Sequence, residues 1–169
     1  MIRRGGNPEF AAIDISNISN PSVVGSLNLP GIPYNITISG SYAYIASDDN
    51  GQELQIIDIS NPASPSQIGS YNADRNSNAK GIYFINNTVY LSKDSDNKAD
   101  ELYIINVTNP ASPSLLGSLD LEANGEEIVV LGDYAYIASN DKNQELKVVN
   151  ISDPNNLSID GSYDLSGND

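Results

Sequence analysis

The sequence predicts an all-β protein, a β-propeller-type array of four-stranded antiparallel blades with essentially no helix. Three observations support this fold class: a regular repeat, four short β-type segments in each repeat, and no sustained apolar period of 3.6 residues. We expect one outer half-blade followed by three complete blades, in a single repeat domain spanning residues 1–169. A β-sandwich is the structural alternative, but it would not explain so regular a period.

A short apolar run that ends in Asp or Asn sets the period. Its four copies are Glu9–Ser16, Glu53–Ser60, Glu101–Thr108 and Glu145–Ser152. The Asp or Asn that ends the apolar part of each copy recurs at intervals of 44, 48 and 44 residues: Asp14, Asp58, Asn106 and Asn150. Four glycines keep the same spacing: Gly25, Gly69, Gly117 and Gly161. The repeats therefore cover approximately residues 9–52, 53–100, 101–144 and 145–169.

Each repeat contains four predicted strands separated by turn residues. The organising run is followed by a turn such as Asn61–Pro65 and by a second strand such as Gln67–Tyr71. After a variable loop, a hairpin such as Tyr34–Ser39 and Tyr42–Ser47 turns at Gly40-Ser41, because Gly tolerates the positive φ of two-residue hairpins. The later hairpins are predicted to begin at Gly81 and Glu127 and to turn at Asn86-Asn87 and Gly132-Asp133.

The strand count leaves the first blade incomplete. Blades usually run from the inner strand outward, so each hairpin begins a blade and the next organising run and its successor finish it. Phe10–Leu27 is then an outer half-blade. The chain is accordingly part of a longer propeller, closes with an irregular blade, leaves sheet surface for another chain, or is an incomplete gene product. Unpaired edges favour association, so we expect protein partners, including copies of this chain joined through the N-terminal strand pair.

Leu54–Asp58 resembles the signature of the LVIVD repeat. The similarity extends through Ile59–Pro62, Pro65, Gly69–Tyr71 and Tyr42–Ala46, and its copies cover nearly the whole chain. Phe10–Asp14 is the loosest copy, and Asn106 and Asn150 stand where the family has Asp. The resemblance implies a β-propeller fold in a secreted or cell-surface protein of bacterial or archaeal type. It implies little about function, because propellers host unrelated activities.

Composition excludes several function classes. The chain carries 8 Lys and Arg against 22 Asp and Glu, a formal charge of −14, which argues against nucleic acid and anionic membrane as partners. No apolar run approaches the roughly 18 residues of a membrane span, so we expect no membrane insertion. The chain has no Cys and no His, which removes disulfides, thiol catalysis and the Ser-His-Asp triad. We assign no catalytic residue and expect no enzymatic activity.

Two groups of acidic and amide side chains are candidate sites. Asp14, Asp58, Asn106 and Asn150 keep hydrogen-bonding ability but not charge, which favours a structural role in bonding turn backbone. Asp94, Asp96 and Asp100 offer oxygen ligands at close spacing and form a candidate Ca²⁺ site. Lys98 lies inside that loop, and a solvated polar loop is the alternative. No other cofactor is expected.

Six Asn-x-Ser/Thr sequons make glycosylation a candidate modification if the protein is exported. They start at Asn17, Asn35, Asn86, Asn106, Asn150 and Asn156. The strand tyrosines could form a carbohydrate platform, but their periodicity favours packing within or between blades. They are Tyr42, Tyr44, Tyr90, Tyr134 and Tyr136.

These features predict a non-enzymatic extracellular or cell-surface module with a structural or interaction role. One alternative is a self-assembling subunit of a larger ring or filament, joined through the incomplete N-terminal blade. The other is a sugar-binding or hydrolytic propeller.

Overall fold

The computed structural model describes residues 1–2, 6–73, 77–94 and 100–165, and it confirms the predicted all-β propeller architecture. The described residues form fourteen strands and no helix. The strands are β1 Phe10–Asp14, β2 Ser22–Leu27, β3 Pro33–Ser39, β4 Tyr42–Ser47, β5 Leu54–Asp58, β6 Ser66–Tyr71, β7 Ala79–Ile85, β8 Thr88–Lys93, β9 Leu102–Asn106, β10 Ser114–Leu119, β11 Gly125–Leu131, β12 Tyr134–Ser139, β13 Leu146–Asn150 and β14 Ser158–Tyr163.

The strands form one two-stranded sheet and three four-stranded sheets, all antiparallel. β1 and β2 are the half-blade, β3–β6 are blade 1, β7–β10 are blade 2 and β11–β14 are blade 3. Within each blade the strands follow chain order, as expected when short turns join neighbours. The first strand of blade 2, β7, packs against the first strands of blades 1 and 3, which places the three inner strands side by side.

The core lies between successive sheets. We call the face that a blade turns toward the following repeat its front face, and the opposite face its back face. Tyr44 and Ile56 on the front face of blade 1 pack with Val89 and Ile105 on the back face of blade 2. Tyr44 also stacks on Phe84, with ring centroids 4.9 Å apart. Similar clusters join blade 2 to blade 3 and the half-blade to blade 1, so each blade depends on its neighbours for burial.

The inner strands begin earlier than the sequence predicted. Blade 2 starts at Ala79 instead of Gly81, and blade 3 starts at Gly125 instead of Glu127. The pairing register shifts within these first residues in both strands. Such a bulge accommodates glycine and charged residues that look like loop in the sequence, which explains the wrong boundaries. The described part of the chain contains no helix long and apolar enough to cross a membrane.

Candidate interaction site at the half-blade

In every complete blade a neighbouring strand pairs with the inner edge of the organising strand, whereas among the described residues only Met1 and Ile2 pair with this edge of β1. In the complete blades, the N–H of the residue after the organising strand donates to a carbonyl in the hairpin turn of the same blade. These bonds are Ile59 to Ser41 at 2.8 Å, Val107 to Asn87 at 2.9 Å and Ile151 to Asp133 at 2.9 Å. Ile15 holds the same position in the half-blade, and within the described ranges its N–H has no such backbone partner.

The first two residues of the chain already pair with one end of this edge. Met1 and Ala11 exchange two hydrogen bonds, each 2.8 Å long, and Ile2 forms an antiparallel bridge with Phe10. Burial lowers the pKa of the Met1 α-ammonium group. Met1 and Ile2 stand where Ile45 and Ala46 of β4 stand in blade 1. The edge therefore accepts a strand in the blade register, and beyond Ala11 no described residue pairs with it.

An apolar groove lies beside this edge, where the inner strands of the half-blade would pack. The groove has a volume of about 380 Å³. Its lining comprises Met1, Phe10, Ala11, Ala12, Ile13, Ile38, Ile59 and Pro62. Ile38 is 60% exposed, whereas Val130, at the same hairpin position in blade 3, is 5% exposed because blade 2 covers it. An uncovered apolar surface beside an unpaired strand edge is typical of surfaces at which proteins associate.

The four repeated turn residues each accept a hydrogen bond from the backbone N–H two residues later. The distances are 2.8 Å from Ser16 to Asp14, 2.8 Å from Ser60 to Asp58, 2.9 Å from Thr108 to Asn106 and 3.1 Å from Ser152 to Asn150. The Ser16 and Ser60 N–H groups lower the pKa values of the Asp14 and Asp58 carboxyls, because they stabilise the charged form. A side-chain oxygen suffices for this turn, so Asp and Asn are interchangeable there.

The structure places two of the three Ca²⁺ candidates in other interactions. Asp94 pairs with Lys80 at 2.7 Å and accepts a bond from Asn78 at 3.2 Å, while Asp100 accepts one from the Ser118 hydroxyl. Asp96 lies outside the described residues. Among the residues the structure describes, no group of three or more acidic side chains is arranged to hold a metal ion.

Polar side chains link the inner strands of the three blades. Lys80 on β7 bridges Asp94 to Glu126 on β11, the latter at 3.0 Å. Asn35 on β3 donates to both carboxylate oxygens of Glu127 at 3.0 Å. Burial alone would lower the pKa of Lys80, but hydrogen bonds and charge from Asp94 and Glu126 outweigh it and raise that pKa. The cluster fastens adjacent blades together.

The sequons differ in accessibility. Asn17, Asn86 and Asn156 are exposed in turns, and Asn86 has a positive φ of 51°. Asn106 and Asn150 are half-buried, since their side chains serve the repeated turn. Half-buried Asn35 lies in β3, and its amide donates to Glu127.

Only part of the expected tyrosine packing occurs. Tyr44 is buried, and Tyr42 and Tyr90 are partly buried between blades. Tyr134 and Tyr136 are each 37% exposed, because they lie on the front face of blade 3 and none of the described residues forms a blade in front of it.

Sequence reasoning missed a repeated glutamate that fastens each repeat. In every repeat a glutamate Oε2 accepts the backbone N–H of the residue 20 positions later, beyond the outer strand. The pairs are Glu9 with Leu29 at 3.0 Å, Glu53 with Ala73 at 2.9 Å, Glu101 with Leu121 at 2.7 Å and Glu145 with Leu165 at 2.9 Å. Desolvation by burial raises the pKa of Glu53 despite this bond and the nearby charge of Lys93. The recurrence of Glu at the start of each organising run was the available signal.

Comparison with known proteins identifies the repeat. The family described as LVIVD repeat matches residues 6–28, 30–73, 95–120 and 124–165. Among curated proteins no similar sequence was found. A solved structure described as Bacteroides ovatus Xyloglucan PUL GH43B is 15% identical, with a TM-score of 0.49 over 90% of this chain. The match spans 36% of that protein, and a likeness of this size says nothing about activity. Because the repeat matches cover more than half of its residues, the chain belongs to the LVIVD repeat family.

Proposed function

We propose that this chain is a non-enzymatic, secreted or cell-surface interaction module that binds a protein partner through the half-blade. One observation carries the proposal: among the residues that the structure describes, none gives the Ile15 N–H the hairpin carbonyl that its three equivalents have, and an apolar groove of about 380 Å³ lies beside it. Strand addition at such an edge supplies main-chain hydrogen bonds, while the groove selects apolar side chains.

The occupant we propose is an antiparallel β-hairpin of the partner. Its second strand pairs with β1 as β4 pairs with β5, where Ala43 faces Ile57 and Tyr44 faces Ile56. Its first strand covers Ile38, as β7 of blade 2 packs against β11, the first strand of blade 3. The hairpin displaces Met1 and Ile2, which occupy two positions of this register.

A non-enzymatic role is supported by what the recurrent acidic groups do. The repeated glutamates bind backbone N–H groups, the repeated aspartates bind turn backbone, and Asp94 and Glu126 pair with Lys80. A glycoside-hydrolase and glycan-binding screen with no hit agrees with the proposal. Turnover of any glycan, abolished by replacing acidic residues, would contradict it and favour the hydrolytic alternative.

The secreted or surface location is supported by the acidic composition, which is rich in Asn, Ser and Thr, and by the location that the family resemblance implies. Asn17, Asn86 and Asn156 are the sequons most open to modification. Fractionation of the native cells tests the location, since recovery only from the cytoplasm would contradict it. Intact-mass measurement of the native protein tests the sequons.

The direct test of binding uses a synthetic peptide with the sequence of residues 33–47, the inner hairpin of blade 1. Calorimetric titration should show one-to-one binding. Ile38→Asp should weaken it at least tenfold by placing a charge in the groove. Leu131→Asp is the matched control, because Leu131 is 71% exposed but lies on blade 3. Equal binding by both variants, or none by the unmodified chain, would refute this binding site.

A further inference from the structure

Two strands with the same sequence show that one blade face is bare. β4 and β12 both read Tyr-Ala-Tyr-Ile-Ala-Ser. In β4 the five residues after Tyr42 are all buried, whereas in β12 burial alternates strictly. Tyr44 is 2% exposed and its counterpart Tyr136 is 37% exposed. Identical side chains differ only in what covers them, so the front face of blade 3 is a packing face without a neighbour among the described residues.

A glycine on each outer strand marks where the next repeat touches. A Cβ at three of these glycines would collide with the carbonyl oxygen of a proline in the following repeat. The pairs are Gly25 with Pro62, Gly69 with Pro110 and Gly117 with Pro154. At Gly161, the fourth, the nearest atom to such a Cβ among the described residues is Val148 Cβ at 3.9 Å, and the backbone does not require glycine there. Gly161 is therefore equivalent to glycines that contact a following repeat, although no described residue makes that contact here.

The half-blade presents the complementary surface. Ile15 is 70% exposed, whereas two of its three equivalents, Val107 and Ile151, are 2% and 6% exposed in the packing between blades. Val23 and Ile18 are also exposed, at 64% and 88%. Ile18 occupies the turn position that proline holds in the other repeats. The Ile18 carbonyl is therefore equivalent to the proline carbonyls that contact the glycines of the preceding repeats.

We propose that the front face of blade 3 binds the back face of the half-blade of a second copy, head to tail. This rests on the proposed function as an interaction module but uses a different surface from the β1 groove. The contact continues the interface already present between successive repeats, with Ile18 of the second copy over Gly161 and with Ile15 against the bare sheet. Because the two surfaces differ, the contact is heterologous and forms a ring if it closes or a filament if it does not.

Charge sets the conditions for this contact. Each copy carries −14, so two copies repel at low ionic strength, while the proposed contact surfaces are mainly apolar. Salt screens the repulsion without weakening apolar burial. Association should therefore strengthen as salt rises from 10 to about 150 mM, the range over which the Debye length falls to roughly 8 Å.

Sedimentation velocity over a concentration series tests the proposal with two variants. Gly161→Ala adds a methyl group that the free chain accommodates but that would collide with the incoming turn, so the dissociation constant should rise at least tenfold. Ile15→Asp places a charge on the other surface and should have the same effect. Circular dichroism should show both variants folded like the unmodified protein.

Mixing the two variants separates this geometry from others. Each variant keeps one intact surface, so the mixture should form one-to-one dimers that grow no further. A face-to-face dimer of blade 3 would instead persist in Ile15→Asp alone, which would overturn the proposal. A monomeric unmodified chain at all concentrations, or unaltered assembly of Gly161→Ala, would also overturn it. Titration of Gly161→Ala with the 33–47 peptide shows separately whether the β1 groove binds.

Discussion

Replacing Glu101 with Ala should lower the free energy of unfolding by about 2 kcal/mol. The Glu101 side chain is 1% exposed, and its Oε2 accepts the buried Leu121 N–H at 2.7 Å. Alanine cannot reach this N–H, and Leu121 itself is fully buried in the core between blades 2 and 3. The N–H is then left without an acceptor in a place that water does not reach easily.

The magnitude follows from that burial. An unsatisfied buried donor costs about 1–3 kcal/mol, and loss of a charged acceptor favours the middle or upper part of that range. Removal of the carboxylate also relieves its own desolvation, which offsets part of the loss. For a chain of this size about 2 kcal/mol corresponds to roughly 4–8 °C in Tm.

Glu145→Ala is the matched control, because Glu145 makes the same bond to Leu165 at 2.9 Å in an exposed setting. Water can replace the lost acceptor there, so the cost should stay below about 1 kcal/mol. Urea unfolding of both variants measures the difference. A Glu145 variant that loses as much stability as the Glu101 variant would refute the reasoning, since burial would then not decide the cost.

Three further predictions concern charge. Glu53→Gln should gain stability relative to the unmodified protein as pH rises above 4.5, because a carboxyl with a raised pKa destabilises the fold once it ionises. Urea unfolding measures this difference, and a difference that does not depend on pH would contradict the prediction. Lys80→Met should lower the free energy of unfolding by about 1 kcal/mol at pH 7 and by less in high salt, because salt screens partly exposed ion pairs. The raised pKa of Lys80 keeps this contribution up to alkaline pH, and an unchanged Tm would contradict the prediction. Below pH 3.8 the Asp58→Asn variant should unfold less readily than the unmodified protein, because protonation of Asp58, whose pKa is lowered, weakens its turn while the amide keeps the bond from the Ser60 N–H. Identical acid-unfolding curves for the two proteins would contradict this.

The sequence predicts most of the architecture because the same turn residues and apolar runs recur in every repeat. Turn residues such as Gly40-Ser41 and Asn86-Asn87 fix the hairpins, and the spacing of the organising runs fixes the half-blade and three blades. The starts of β7 and β11 were wrong because a bulge is set by pairing, which a single strand does not reveal.

The missed parts of the site depend on contacts between distant residues. The partner of each repeated glutamate lies 20 residues away, and the proline over each glycine belongs to the next repeat. Tyr136 looks the same as Tyr44 in sequence, and only the neighbouring blade distinguishes them. The groove at Ile38 likewise exists because no strand among the described residues covers it on the half-blade side, so no local pattern predicts it.

Amide hydrogen exchange at Ile15 shows whether the half-blade edge receives a partner's hairpin. With the 33–47 peptide added, exchange of the Ile15 N–H should slow markedly, because the peptide supplies the carbonyl that Ser41 supplies to Ile59. Exchange of Ile59 should not change. Unchanged exchange at Ile15 under saturating peptide would contradict the account.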